Sequence, residues 1–293
     1  MDLTEVIKEK RPHLSDSSLR TYKSILTNLY RKCYPSDNEI KLDKFDNEKL
    51  IMEHLKDIPF SKRKTTLAAL VVLTGNKEYN KLMSSDIAEY NDKQLLQEKD
   101  GKFADNMIPF SEVEVLLKAA EKEAKAIYKK DKLEMGDRQK IQNYILLALT
   151  GGIYMPPRRS QDWVMKYKNF DAEKDNYLDL KKKVFVFNSY KTMKSKGQQV
   201  IEIPKPLLII LKKWIGSLPE DMEYILFDNK GNAITPSQIT HRLNAIFDKP
   251  ISTSMLRHIF LTSKFADVNL KELTKTADAM GNSPLQALAY VKN

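Results

Sequence analysis

Over most of this 293-residue chain the apolar side chains recur at the three- and four-residue spacings of amphipathic helices, but near residues 176 to 204 the period changes to two. Lys183–Asn188 and Gln198–Ile203 are rich in β-branched and aromatic residues. The stretch between them, Ser189–Gly197, is polar, holds Lys191, Lys194 and Lys196, and ends on a glycine, as a long turn joining two strands does. One such element in a helical chain predicts a fold that is mainly α with a small β-hairpin or sheet, an α+β arrangement.

The helices around it carry their own punctuation. Ser15-Asp16 precede Leu19, Tyr22, Leu26 and Leu29 at helical spacing, and the pattern stops near Pro35. A second helix is expected over Asn47–Leu55. Ser61 is the expected N-cap of a third, Lys62–Leu73, with Leu67, Leu70 and Val71 inward and Gly75 as its C-cap. Its first turn is Lys62-Arg63-Lys64. Three cations there oppose the helix dipole, so they read as phosphate contacts, with a solvated charged face as the alternative. Asp92–Met107 is polar and aperiodic and reads as a linker, which divides the chain into 1–95, 96–107 and 108–293. Beyond it, Ser111 with Glu114 fits a capping box. A helix over Gln139–Leu149 is broken by Gly151-Gly152 and Pro156-Pro157. After the hairpin, helices are expected over Pro206–Ile215, Pro236–Phe247, Ser254–Phe265 and Leu270–Met280, with a short one after Pro284. Leu256, Ile259, Phe260, Trp163 and Trp214 are expected in the core.

The formal net charge is +10, and its distribution carries the information. Residues 1–107 hold 19 basic against 18 acidic side chains and the remainder 30 against 21, so the excess lies in the C-terminal part. Residues 151–200 alone carry 11 basic against 5 acidic, the footprint of a surface that meets phosphates, or else a solubilising face. The single cysteine, Cys33, cannot close an internal disulfide, and no Cys/His spacing suits zinc, which points to a reducing compartment and no metal. The first residues begin no signal peptide, and apolar runs such as Pro206–Leu211 are too short to span a bilayer. An intracellular protein with no membrane partner is expected.

Four C-terminal segments belong together. Leu149–Trp163 contains Pro156-Pro157-Arg158-Arg159 and Asp162; Tyr190–Gly197 is the lysine-rich turn; Ser254–Thr262 contains Leu256-Arg257-His258; Met280–Tyr290 opens on Met-Gly-Asn-Ser-Pro and ends on tyrosine. Their order and spacing resemble the catalytic domain of tyrosine recombinases, the DNA-breaking and joining family that includes phage integrases and is related to type IB topoisomerases. The resemblance runs from Ile108 to the end, and 1–95 looks like that family's helical core-binding (SAM-like) domain. No one segment is specific; together they are.

The resemblance implies a two-domain, C-shaped clamp on double-stranded DNA that works without cofactor or metal. It assigns Arg159, in preference to Arg158, to the first arginine box, with Asp162 as the acidic residue three positions on. Lys191 matches the hairpin lysine, Arg257 the second arginine, His258 the histidine that often follows it, and Tyr290 the nucleophile. Ser254 and Asn282 stand where the family usually has histidine, and histidine or tryptophan, and become accessory phosphate ligands. Lys62, Arg63, Lys64, Arg158, Lys194 and Lys196 are the expected DNA contacts, the last two competing with Lys191.

These residue types suit the chemistry the resemblance implies. A phosphodiester transition state is anionic at its non-bridging oxygens, and two guanidiniums can hold it bidentately while staying charged. Nearby cations favour the phenolate that attacks, and a lysine among cations can return a proton to the departing 5′ oxygen. Serine and asparagine hydrogen-bond phosphate but accept no proton near neutral pH. That leaves His258 or water to take the phenolic proton, or makes the chain a slow enzyme or a catalytically degenerate DNA-binding relative. A type IB-like topoisomerase is the other alternative. Recombinases of this family act as tetramers on two DNA sites, so a monomer in solution that assembles into a homotetramer on DNA is expected. The Pro-Pro-Arg-Arg box and the Lys/Asn/Ile-rich composition resemble enzymes of DNA viruses and mobile elements.

Overall fold

Side-chain oxygens and prolines set where the helices begin. The structure, a computed structural model, describes residues 2–95, 101–265, 270–288 and 290–291, with backbone only at 94–95, 101–103, 270–271, 285 and 288. The chain divides into two compact units, Met1–Leu96 and Gln97–Asn293.

In the first unit Asp2 caps α1 (Leu3–Lys10), Ser15 caps α2 (Asp16–Cys33) and Asn47 caps α3 (Glu48–Leu55), each side-chain oxygen accepting an N–H of the first turn. A 3₁₀ turn, Leu42–Asp46, precedes α3. α4 (Phe60–Thr74) lies against α1, α2 and α5 (Lys77–Leu95), with Leu67, Ala69 and Leu70 fully buried among Ile7, Leu26, Phe45, Ile51 and Tyr79. Gly75 ends α4 in the left-handed region, φ 72°, as its sequence position predicts.

Two caps differ from expectation for one reason. α4 begins at Phe60 with Pro59 as N-cap, and α7 (Phe110–Ile127) begins at Phe110 with Pro109, neither with a side-chain cap. Both starts read Pro-Phe-Ser, and the proline, already fixed in the extended conformation an N-cap needs, offers its carbonyl to the helix: Pro59 accepts from Lys62 and Arg63, Pro109 from Glu112. Ser61 and Ser111 therefore sit inside the first turn and cap nothing.

The lysine-arginine-lysine turn of α4 is also spent differently. Arg63 makes a bidentate ion pair with the buried Asp86 of α5, Nε to Oδ2 at 2.9 Å and Nη2 to Oδ1 at 2.7 Å. Lys64 lies over the Tyr90 ring, and its burial there pushes its pKa down. Of the three expected phosphate contacts, only Lys62 is exposed. The expected linker is partly helical: α5 runs to Leu95, with Lys93 paired to Glu89 one turn back, and α6 covers Gly101–Asn106. A polar helix held by such pairs lacks the apolar period that would have signalled it. Residues 96–100 lie outside the described ones.

In the second unit α7 packs on α8 (Met135–Thr150), which is buried continuously from Tyr144 to Thr150, as a helix apolar on every side must be. A 3₁₀ turn, Ser160–Trp163, leads into a sheet of order β1 (Met165–Lys166), β2 (Asn176–Asp179), β3 (Val184–Phe187), β4 (Gln199–Glu202). β1 and β2 are parallel; β2–β3 and β3–β4 are antiparallel, with Phe185 opposite Leu178 and Ile201. β3–β4 is the hairpin seen in the sequence, and its turn holds a single helical turn, α9 (Met193–Lys196). Trp163 is fully buried, edge-on to Phe185 and Phe187 at 5.5 and 5.9 Å. The fully buried Trp214 of α10 (Lys205–Gly216) stacks on Phe227 and donates Nε1–H to the Ile225 carbonyl.

α11 (Pro236–Phe247), α12 (Thr253–Lys264), α13 (Leu270–Ala279) and α14 (Pro284–Leu288) follow. Phe260 and Leu261 of α12 and Phe265 just after it pack with Leu273, Ala277, Met280, Ala287 and Val291 in a small separate core, which holds Ala287 and Val291 against α12. Phe260 also closes on Gly152, whose φ is +85° and where an added Cβ would lie 2.7 Å from the Phe260 ring. Gly152→Ala should therefore lower the unfolding free energy by about 1–3 kcal/mol, read from denaturant midpoints, combining left-handed strain with a clash against a ring. Among the described residues no helix is long and apolar enough to cross a membrane.

Candidate active site

After Gly152 and Pro156-Pro157 come two consecutive arginines that differ in burial and in partners. Arg158 turns into the protein and is 0% exposed. Its Nε donates to Asp162 Oδ2 at 2.8 Å and its Nη1 to Gln199 Oε1 at 2.9 Å and the Ala279 carbonyl at 2.7 Å, while its plane lies 3.9 Å from the centre of the Phe187 ring. Burial pushes the Asp162 carboxyl above its usual range and the Arg158 guanidinium below, each drawn back by the other. Arg158, expected on the surface as a DNA contact, is instead fully buried, and its guanidinium ties the 3₁₀ turn, β4 and the end of α13 together. Asp162 partners Arg158 four residues back rather than Arg159.

Arg159 is half-buried and turns toward the α13–α14 connection, donating from Nη2 to Asn282 Oδ1 at 2.9 Å and from Nη1 to the Gly281 carbonyl at 3.4 Å. Asn282, 1% exposed, finds no partner for its Nδ2 among the described residues.

Arg257 enters from the second turn of α12, which Ser252 caps at the Met255 N–H. It is 1% exposed, and its Nη1 donates to the Tyr290 hydroxyl at 2.9 Å. Its Nε and Nη2 are buried and find no acceptor among the described residues. Burial pushes its pKa down to about 10; the Tyr290 hydroxyl opposes the shift and the Arg159 charge adds to it. A buried guanidinium with two donors that no described residue accepts, beside a second cation, is chemistry suited to an anion.

His258 supports Tyr290 from the other side. Its Nδ1 donates to the Tyr290 carbonyl at 2.8 Å, and the two rings are 4.3 Å apart. A carbonyl only accepts, so the proton sits on Nδ1, and that contact is with the backbone, not the hydroxyl. Thr262 Oγ1 donates to the same carbonyl at 3.4 Å.

The hairpin turn docks on the same connection. Thr192 Oγ1 donates to the Gly281 carbonyl at 2.9 Å, and Lys196 Nζ to the Asn282 carbonyl and to Asp278 Oδ1, both at 2.7 Å. Lys191 is exposed, one residue before Thr192, and Lys194 is exposed on α9. Ser254 is exposed as well; its neighbour Thr253 is buried and accepts the Ser160 N–H at 3.1 Å, so that Thr253, not Ser254, joins α12 to the arginine box.

The structure thus gathers Arg159, Arg257, Asn282 and Tyr290, with His258 behind the tyrosine and the Lys191 turn docked on Gly281. Sequence reasoning missed Thr192, Gln199, Thr253 and the clamp role of Arg158. The one available signal was the four-residue spacing of Arg158 and Asp162. Among the described residues no three His, Cys, Asp or Glu side chains gather as metal ligands.

No family model and no curated protein matches the sequence. Among solved structures the chain is similar to the XerA recombinase, at 13% identity over 99% of this chain and 93% of that one, with a TM-score of 0.43. It is also similar to the XerH site-specific recombinase bound to its difH substrate before cleavage, at 17% identity over 98% and 91%, TM-score 0.45. The third similarity is to XerH after cleavage of palindromic difH, at 15% identity over 98% and 90%, TM-score 0.46.

Proposed function

We propose that this chain is a site-specific DNA recombinase that cleaves and rejoins double-stranded DNA through a 3′-phosphotyrosine intermediate, with no metal or ATP. One observation carries the reading: the Tyr290 hydroxyl lies on Arg257, whose Nε and Nη2 are buried and find no acceptor among the described residues, beside Arg159. A non-bridging phosphate oxygen on those donors would satisfy them and bring phosphorus to the hydroxyl. The phenolic oxygen then bonds to phosphorus, the bond to the 5′ oxygen breaks, and that oxygen takes a proton from Lys191. Water or His258 takes the phenolic proton: with Nδ1–H on the Tyr290 carbonyl, Nε2 is the basic nitrogen of the ring. The phosphodiester energy stays in the protein–DNA link, and the reverse step rejoins the strand.

A nicked suicide duplex tests this, because loss of the short 5′ fragment traps the intermediate. The expected product is a denaturant-resistant protein–DNA species with the DNA mapped to Tyr290. Duplex binding without any such species would make the chain a non-catalytic DNA-binding relative, and supercoil relaxation without joining of two sites a topoisomerase. Sedimentation should find a monomer alone and a tetramer on paired sites; a stable tetramer without DNA would refute that assembly.

A further inference from the structure

The connection between α13 and α14 is held by its carbonyls. Gln199 Nε2 donates to the Asp278 carbonyl at 3.1 Å and Arg158 to that of Ala279 at 2.7 Å. Thr192 and Arg159 share the Gly281 carbonyl, and Lys196 takes that of Asn282. The turn itself closes locally, with Gly281 at φ +69° and the Asn282 N–H donating to the Ala277 carbonyl at 2.7 Å. Four of these five donors come from the arginine box and the hairpin turn; the fifth, Gln199, opens β4. The helix that starts from this anchor is only Pro284–Leu288, and Tyr290 follows two residues later. Tyr290 is thus fixed from two places, from this anchor through a short helix and from α12 through Arg257 and His258.

Lys196 makes two of these ties at once, its ammonium bridging Asp278 Oδ1 and the Asn282 carbonyl. We propose that Lys196 is a positioning residue for the nucleophile: it fixes the anchor from which Tyr290 is presented and neither donates the leaving-group proton nor serves mainly as a phosphate contact. An ammonium bound to both acceptors has little call to leave them, whereas Lys191, on the same turn, is exposed. The proposal rests on the phosphotyrosine reading and adds a division of labour within the lysine-rich turn.

Replacing the bridging 5′ oxygen by sulfur separates the two roles. The Tyr290 oxygen still bonds to phosphorus and the phosphorus–sulfur bond breaks, but the thiolate leaves without needing a proton. Nicked duplexes with bridging oxygen or sulfur at the scissile position are compared at saturating protein. Lys196→Met is expected to slow adduct formation about tenfold to a hundredfold, the effect of small misplacement, and by the same factor on both substrates. Lys191→Ala is expected to be slow with oxygen and to return to the parent rate with sulfur. Lys196→Arg, which keeps donors for both acceptors, should stay near the parent. Full recovery of Lys196→Met on sulfur would make it the proton donor, and a parental rate on oxygen at saturation would make it a phosphate contact or idle; either overturns the proposal. If the parent itself forms no adduct on either duplex, the phosphotyrosine reading fails first.

Discussion

Tyr290→Phe should eliminate the covalent adduct and leave duplex binding intact, while Arg257→Met should slow adduct formation by about 10²- to 10³-fold, the usual cost of one preorganised donor to a developing anion. The same arginine substitution should raise the stability of the DNA-free protein. Arg257 is 1% exposed and, among the described residues, only its Nη1 is paired, so it is buried at a cost that a methionine of similar length does not incur. Its pKa, pushed down to about 10, still leaves it charged at neutral pH. The sign with pH follows. Below about pH 10 folded and unfolded chains both hold the proton; above it the folded chain releases it first, so the penalty shrinks only in alkali. The stability gain of Arg257→Met should accordingly be constant between about pH 6 and 9, checked by denaturant midpoints, and inorganic sulfate should stabilise the parent more than the variant. A loss of stability in Arg257→Met would mean that the guanidinium serves the fold and not an absent anion.

The sequence made some of this legible and hid the rest, for physical reasons. Arg257 and Tyr290 stood out because residue type and order are all that their chemistry requires, and the β3–β4 hairpin because its period differs from everything around it. What stayed hidden was direction. Arg158 and Arg159 are identical and adjacent, and only the fold shows that one is buried on Asp162 while the other reaches Asn282. Arg63 looked available for phosphate because Asp86, its buried partner, lies on the next helix at a distance no local pattern encodes. Ser254 fell at the spacing of a family histidine, yet the helix begins so that Thr253 is the residue facing Ser160. β1 is two residues long and its neighbour β2 four, too short to establish a period. Local chemistry is thus readable wherever a residue acts by its type, and unreadable where it acts by what the fold sets opposite it.

That distinction makes the adjacent arginines a direct test of the architecture. Arg158→Met should cost about 3–5 kcal/mol of stability, because it leaves the buried Asp162 carboxylate without its cation and the Ala279 carbonyl without its donor. Asp162→Leu should be comparably harmful, stranding the guanidinium instead. Combining them should recover much of the loss, since a pair removed together leaves no uncompensated charge; the double-mutant cycle would show strong coupling. Arg159→Met should do the reverse: its half-exposed guanidinium supports little of the fold, so melting should barely change while adduct formation falls about 10²-fold or more. If instead Arg158→Met were stable and inactive, and Arg159→Met unstable, the two side chains would have to exchange places, and the anion site would then be built on the residue that this fold buries against Phe187.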